Sequence, residues 1–254
     1  MFSRTLKSFA FNVNFFIRKF WSSLHNAFPV QALQIEFMRR NKNFEKDLWL
    51  VKSFCDKNSV SIDIGANNGI FSLFMSRYSA KVIAFECNPG LISKLSRNMP
   101  KNVQLNCVAL SHGTGVSELR YDPLNTGIGT IESQNTLLNN PGIKSIKTIQ
   151  VPTRCLDDYD LQNVSFVKID VEGHELQCLM GAKLLLETSR PVLLVEIEER
   201  HCPGNLNKVP QYLSCYGYLP FVLSATGGYL VPVSDLFPHA IRGINNFWFV
   251  ALAH

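Results

Sequence analysis

The sequence predicts an α/β domain built on a mostly parallel sheet. Apolar, β-favouring runs of strand length alternate with segments that repeat apolar residues at steps of three and four. A glycine turn, Gly65-Ala66-Asn67-Asn68-Gly69, joins one such strand to the helix after it. Acids (Asp63, Glu86, Asp170, Glu196) stand in or at the ends of the apolar runs, where an open α/β sheet gathers its chemistry. A chain of 254 residues holds one large domain of this kind with a short extension.

Residues 1–43 form that extension. Through residue 42 the only acid is Glu36, set against Arg4, Lys7, Arg18, Lys19, Arg39, Arg40 and Lys42, with phenylalanines interleaved. One uncharged run, residues 8–17, contains two asparagines. It is far short of the ~20 apolar residues a spanning helix needs. The segment reads as a helix packing its aromatic face on the domain, or as one making peripheral contact with an anionic membrane surface. Residues 8–17 also read as the core of a weak signal peptide, although no convincing small-residue cleavage site follows, and the acid-poor, basic, serine-containing start resembles an organelle transit peptide.

The domain proper runs over 44–254. Phe44, Leu48, Val51 and Cys55 share one face of a helix, and Val60, Ile62 and Ile64 make the first buried strand. Helix 70–77, strand 81–86, a helix from the Asn88 cap and Pro89 to about residue 98, and strand 102–107 follow. Residues 111–163 then loosen into an insertion. Residues 116–121 and 146–152 alternate like exposed strands, and 125–140, rich in Gly, Asn, Thr and Ser, reads as a mobile loop. The insertion is either a lid and acceptor-recognition element or a plain edge hairpin. Strand 164–170, a helix to about residue 186, strand 191–197, helix 206–215 and strands 217–223 and 247–253 complete the chain, the last strand antiparallel.

The glycine turn departs from the dinucleotide pattern G-x-G-x-x-G, because Gly65 and Gly69 are four apart and Asn67 takes the middle position. Asp63, two residues before the first glycine, repels a pyrophosphate and suits a ligand with a cationic amino-acid end, such as S-adenosylmethionine. Glu86 follows the turn by the distance at which such folds place a carboxylate on ribose hydroxyls, with Asn88 beside it. The Cys107-Val108 region falls where an adenine ring would lie. Asp170, Glu172, His174 and Glu175 crowd one strand-to-helix turn, as a reaction crevice requires. Glu172 and Glu175 equally suit a helix N-terminus, and Lys168 in its apolar strand suits a structural ion pair. Seven cysteines at irregular spacings, with no C-x-x-C pair, argue against a disulfide framework or a zinc site and for a reducing, cytoplasmic compartment. No metal site is expected, and the mild net charge of +5 comes with no nucleic-acid module.

Ile62 to Gly69, Phe85-Glu86-Cys87-Asn88-Pro89, Val108-Ala109-Leu110-Ser111, Val167-Lys168-Ile169-Asp170-Val171-Glu172-Gly173-His174-Glu175 and Pro191 to Glu196 resemble the ordered motifs of FkbM-type methyltransferases. The Lys168 to Glu175 block is the most specific of them, and Cys87 and Arg154-Cys155 depart from the usual residues. The resemblance implies a Rossmann-like, seven-stranded sheet, S-adenosylmethionine as donor, and O-methylation of a hydroxyl on a sugar, glycan or secondary metabolite. On that reading Asp63, Gly65, Asn67 and Gly69 hold the methionine end, Glu86 and Asn88 the ribose, and Cys107 and Val108 the adenine. Asp170 then sits beside the methyl group and orients the acceptor, and His174 or Glu172 takes the acceptor's proton. The alternatives are a nicotinamide-dependent oxidoreductase or epimerase on a related sheet, and a non-catalytic, membrane-associated binding protein.

Overall fold

The computed structural model describes residues 44–138, 143–226 and 228–252; the extension over 1–43 lies outside them. One sheet of eight strands carries the fold. Its spatial order is β11 (Leu230–Pro232), β10 (Tyr218–Leu223), β12 (Asn246–Ala251), β9 (Val192–Glu196), β8 (Val164–Ile169), β1 (Val60–Ile64), β2 (Lys81–Phe85) and β3 (Val103–Asn106). Strands β1, β2, β3, β8 and β9 pair in parallel, and β12 lies antiparallel to both β9 and β10. The sequence predicts seven strands. The eighth, β11, is an antiparallel addition at the edge beyond β10. It is three residues long and ends in proline, too short for a period-two pattern to show.

Alternation along the strands sorts side chains between two helix layers. Ile62, Ile64, Phe85, Val167, Ile169, Val195 and Phe249 face one layer. There they pack on Cys178 and Leu179 of α4 (Glu175–Met180), Leu185 and Leu186 of α5 (Lys183–Thr188), and Leu206, Val209 and Leu213 of α6 (Asn205–Ser214). Burying each such aliphatic side chain contributes about 1.5–3 kcal/mol. The intervening residues face the other layer, made by α1 (Phe44–Val51) and α2 (Ile70–Met75). Asp47 of α1 accepts hydrogen bonds from Trp248 Nε1 at 3.0 Å and Asn246 Nδ2 at 3.1 Å, tying that helix to the central strand β12. The short helices α3 (Pro89–Leu95) and α7 (Phe237–Ala240) complete the set among the described residues, and no described helix is long and apolar enough to cross a membrane.

A helix expected to run unbroken to about residue 186 is instead split into α4 and α5. Gly181 marks the break, and a Cβ there would lie 2.0 Å from the Ser111 carbonyl oxygen. Asp157 caps the second piece, its carboxylate accepting from the N–H groups of Leu184 at 2.9 Å and Leu185 at 3.2 Å.

The insertion forms a second sheet, in the order β4 (Ala109–Leu110), β7 (Lys147–Arg154), β5 (Gly115–Asp122) and β6 (Asn125–Thr130). The start of the segment expected to be a mobile loop is therefore a strand, β6, paired antiparallel with β5. Its Asn-Thr-Gly-Ile-Gly-Thr composition conceals it, because its ladder hydrogen bonds are made by backbone and the run holds one apolar side chain, too few for an alternating pattern.

Candidate active site

The glycine turn is built by close approach. Gly65 has φ +78°, and a Cβ on it would lie 1.8 Å from the carbonyl oxygen of Asp170, so only glycine lets the β1 and β8 turns meet. Asn67 adopts φ 51° at the crown of the turn. Its N–H donates to Glu86 Oε2 at 2.9 Å, while the N–H of Asn88 donates to Glu86 Oε1 at 2.8 Å. Glu86 is thus fixed between the turn and the start of α3, and burial raises its pKa.

A cavity opens between these turns. Its lining includes Gly65, Asn67, Glu86, Asn88 and Val108 together with Asp170, Glu172 and His174. Gly127, Gly129, Thr130 and Ile131, from β6 and the residue after it, contribute the remaining wall. Asp63, Gly69 and Cys107 do not line it.

Strand alternation explains Asp63. It pairs in register with Lys168 and points into the α1–α2 layer. There its Oδ2 accepts from Ser72 Oγ of α2 at 2.5 Å, and its Oδ1, with no hydrogen-bond partner among the described residues, lies 3.8 Å from Lys168 Nζ. Burial raises the Asp63 pKa against the pull of Lys168. Asp63 therefore stands behind the glycine turn. Gly69 caps α2 in the left-handed region, and Cys107 is exposed.

Lys168 is the hub of the site. Its Nζ donates to Asp170 Oδ2 at 3.0 Å and to the Gly65 carbonyl at 3.2 Å, and lies 4.9 Å from the centre of the Phe71 ring. Burial lowers its pKa, but Asp170 and Asp63 together outweigh that and hold it above the ordinary lysine value. Asp170 is in turn held below the ordinary carboxylate range, because Lys168 and a hydrogen bond with Glu196 overcome burial. Glu196 is driven well up, by the Asp170 charge first and burial second, so the proton of this carboxyl pair sits on Glu196.

Glu172, at φ 55°, has its pKa pushed up to about 8 by burial and by the charges of Asp170 and Glu198. Its Oε2 lies 3.1 Å from His201 Nε2. On the far side of Gly173, His174 Nδ1 lies 3.0 Å from Glu132 Oε2 and Nε2 lies 3.0 Å from Ser111 Oγ. Burial lowers the His174 pKa, and Glu132 opposes the shift. Glu175 turns back to accept from the Gly173 N–H at 2.8 Å, and burial pushes it up to about 7. Sequence reasoning missed Glu132 and His201. Neither stands in a motif, and both reach the site through loops, after β6 and after β9. Among the described residues no group of three or more His, Cys, Asp and Glu is arranged to hold a metal ion.

A mixed sheet whose five parallel strands centre on the glycine-turn strand, with an acid-bearing turn on the neighbouring strand lining the same cavity, defines a class of small-molecule-binding α/β enzyme. The sequence profile of the Methyltransferase FkbM domain matches residues 63–220, and the chain belongs to that family. It is 28% identical over 174 residues to Methyltransferase 1 of Beauveria bassiana, covering 60% of this chain and 69% of that one. It is 27% identical over 186 residues to the hexuronic acid methyltransferase AglP of Haloferax volcanii, covering 72% of this chain and 74% of that one. Among solved structures, an FkbM methyltransferase from Methylobacillus flagellatus superposes with a TM-score of 0.50 at 14% identity, covering 76% of this chain. This chain spans 44% of that structure's length, and the likeness speaks to the fold.

Family membership favours methyl transfer over the oxidoreductase alternative and implies S-adenosylmethionine as methyl donor. The residues present fit such a group. Asn88 Nδ2 is buried in the cavity wall with no hydrogen-bond partner among the described residues, and the Glu86 carboxylate is two residues away. A donor beside an acceptor-only carboxylate is the set that a vicinal diol satisfies.

Proposed function

We propose that the protein methylates a hydroxyl group, on a sugar, a glycan or a secondary metabolite, with S-adenosylmethionine as donor. The observation that carries this reading is one cavity lined by two kinds of turn. One is bare backbone with Glu86 and Asn88, suited to a nucleoside, and the other bears Asp170, Glu172 and His174. Bound there, S-adenosylmethionine supplies an electrophilic methyl group. The backbone from Gly65 to Asn67, Glu86, Asn88 and Val108 hold and orient it, with Asp63 bracing the turn from behind through Ser72 and Lys168. Asp170 stays ionised beside Lys168 and orients the acceptor hydroxyl. A neighbouring base, His174 or Glu172, receives the proton that the hydroxyl loses as it attacks. Most of the rate comes from alignment of the two reactants by these fixed groups. The relative named for hexuronic acid supports a sugar-type acceptor. The protein is incubated with methyl-labelled S-adenosylmethionine and an extract of cell glycans and metabolites, and products are read by mass. A labelled ether is the expected product; label appearing only on nitrogen or sulfur would remove the hydroxyl assignment.

A further inference from the structure

His174 belongs to the main-sheet crevice, yet its ring is oriented by the second sheet. Glu132 comes from the loop after β6, and Ser111 follows β4. A carboxylate at this distance accepts, so Nδ1 carries the hydrogen and Nε2 is left as the basic atom, which in this structure receives the Ser111 hydroxyl. Glu132 is itself held in place. Its Oε1 accepts from Ser133 Oγ and from the Gln134 N–H, both at 3.3 Å, and Arg120 of β5 donates to its backbone carbonyl.

The segment carrying Glu132 is pinned across the crevice by polar contacts. Asn67 Nδ2 donates to the Gly127 carbonyl at 3.1 Å. Thr130 Oγ1 and Asn135 Nδ2 both donate to the Glu172 carbonyl, at 2.9 and 2.8 Å. β6 is an edge strand whose one sheet partner is β5. A segment held by side-chain hydrogen bonds at a sheet edge opens at lower cost than the core strands below it.

We propose that β6 and residues 131–138 form a roof over the cavity, and that Glu132 is a positioning residue which prepares His174 as the proton acceptor only when this roof is down. The inference rests on the methyl-transfer reading. In the step it serves, the acceptor's O–H bond breaks, its proton goes to His174 Nε2, the oxygen bonds the methyl carbon through the electron pair it keeps, and the pair of the broken sulfur–carbon bond stays with the donor's sulfur as a neutral thioether. The acceptor takes the place that the Ser111 hydroxyl holds, and the Glu132 carboxylate stabilises the imidazolium formed. The charged and titratable groups facing His174 are Glu132, which favours that cation, and His112, which opposes it. Glu172, the other candidate base, lies against His201 and retains its proton at neutral pH.

The full chain, labelled with ¹³C-histidine, is titrated by NMR, with the His174 signal identified by its absence from His174→Asn. In Glu132→Gln the His174 midpoint falls by about one pH unit, about tenfold in proton affinity. Thr130→Val with Asn135→Ala, which frees the roof without changing either partner's charge, moves the midpoint the same way. With the acceptor found by labelling, Glu132→Gln lowers kcat about tenfold or more. The acid limb of its pH profile moves down with the midpoint, and the donor KM is kept. An unmoved midpoint in either variant overturns the proposal, as does a wild-type kcat profile in Glu132→Gln. Calorimetric binding of S-adenosylmethionine to the wild type tests the underlying reading separately: if it does not bind, that reading goes, while the titration still reports Glu132's hold on His174.

Discussion

Glu172 carries two unusual properties at one position, a left-handed backbone and a carboxyl whose pKa lies at about 8. The backbone turn aims its carbonyl at Thr130 and Asn135 of the roof, and the half-buried side chain feels the charges of Asp170 and Glu198. Because its folded-state value lies above the ordinary 4.5, the native chain keeps a proton that the unfolded chain releases. The stabilisation is complete below the unfolded value and is lost as pH rises to about 8. Glu175, pushed up to about 7, acts in the same direction. The expected outcome is that Glu172→Gln gains stability relative to wild type as pH climbs through this window, read as the difference in urea midpoints. A constant difference would show that Glu172 does not titrate there. Lys168 presents the opposite case. Its charge is spent on Asp170, Asp63 and the Gly65 carbonyl, a structural ion pair that its isolated place in an apolar strand already suggests.

At the scale of elements, β1, β2, β8 and β9 match the sequence expectation to within a residue or two at each end, because each is an apolar run bounded by a turn. β6 did not declare itself, since its hydrogen bonds come from backbone whatever the side chains are. The break between α4 and α5 was hidden for a related reason: Gly181 tolerates a helix, and what ends it is the approach of the Ser111 carbonyl, a long-range contact. The meeting of the β1 and β8 turns depends equally on an atom that is not there. Gly65→Ala puts a methyl group into the Asp170 carbonyl at a positive φ, so β1 or β8 must shift. The variant is expected to melt lower and to lose S-adenosylmethionine binding by calorimetry at a temperature where it remains folded; donor binding at wild-type strength would mean that the turn does not hold the donor.

For the molecule as a whole, the family and the crevice were legible from ordered motifs, while the direction in which each motif residue points was not. The spacing places Asp63 next to Gly65, but period two turns its side chain into the helix layer behind the sheet. Glu86, Asn88, Asp170 and His174 line the cavity because they follow the strands, where the chain is free to turn toward it. Glu132 and His201 reach the site only through tertiary packing, and their separation from it in sequence hides them. A ligand bound by this whole crevice stabilises the folded chain by about 2.7 kcal/mol at a hundred times its dissociation constant. S-adenosylmethionine should therefore raise the melting temperature by several degrees and NAD should not; the reverse result would reopen the oxidoreductase alternative.

The closeness of Gly181 to Ser111 ties the crevice to a joint that does not line it. The joint between two helices sets how near the end of β4 can come, and Ser111 hangs from that end within reach of the imidazole. A single carbon added at this joint would push the hydroxyl away from the ring without touching any cavity-lining side chain, so the reactivity of the crevice is adjustable from residues outside its wall.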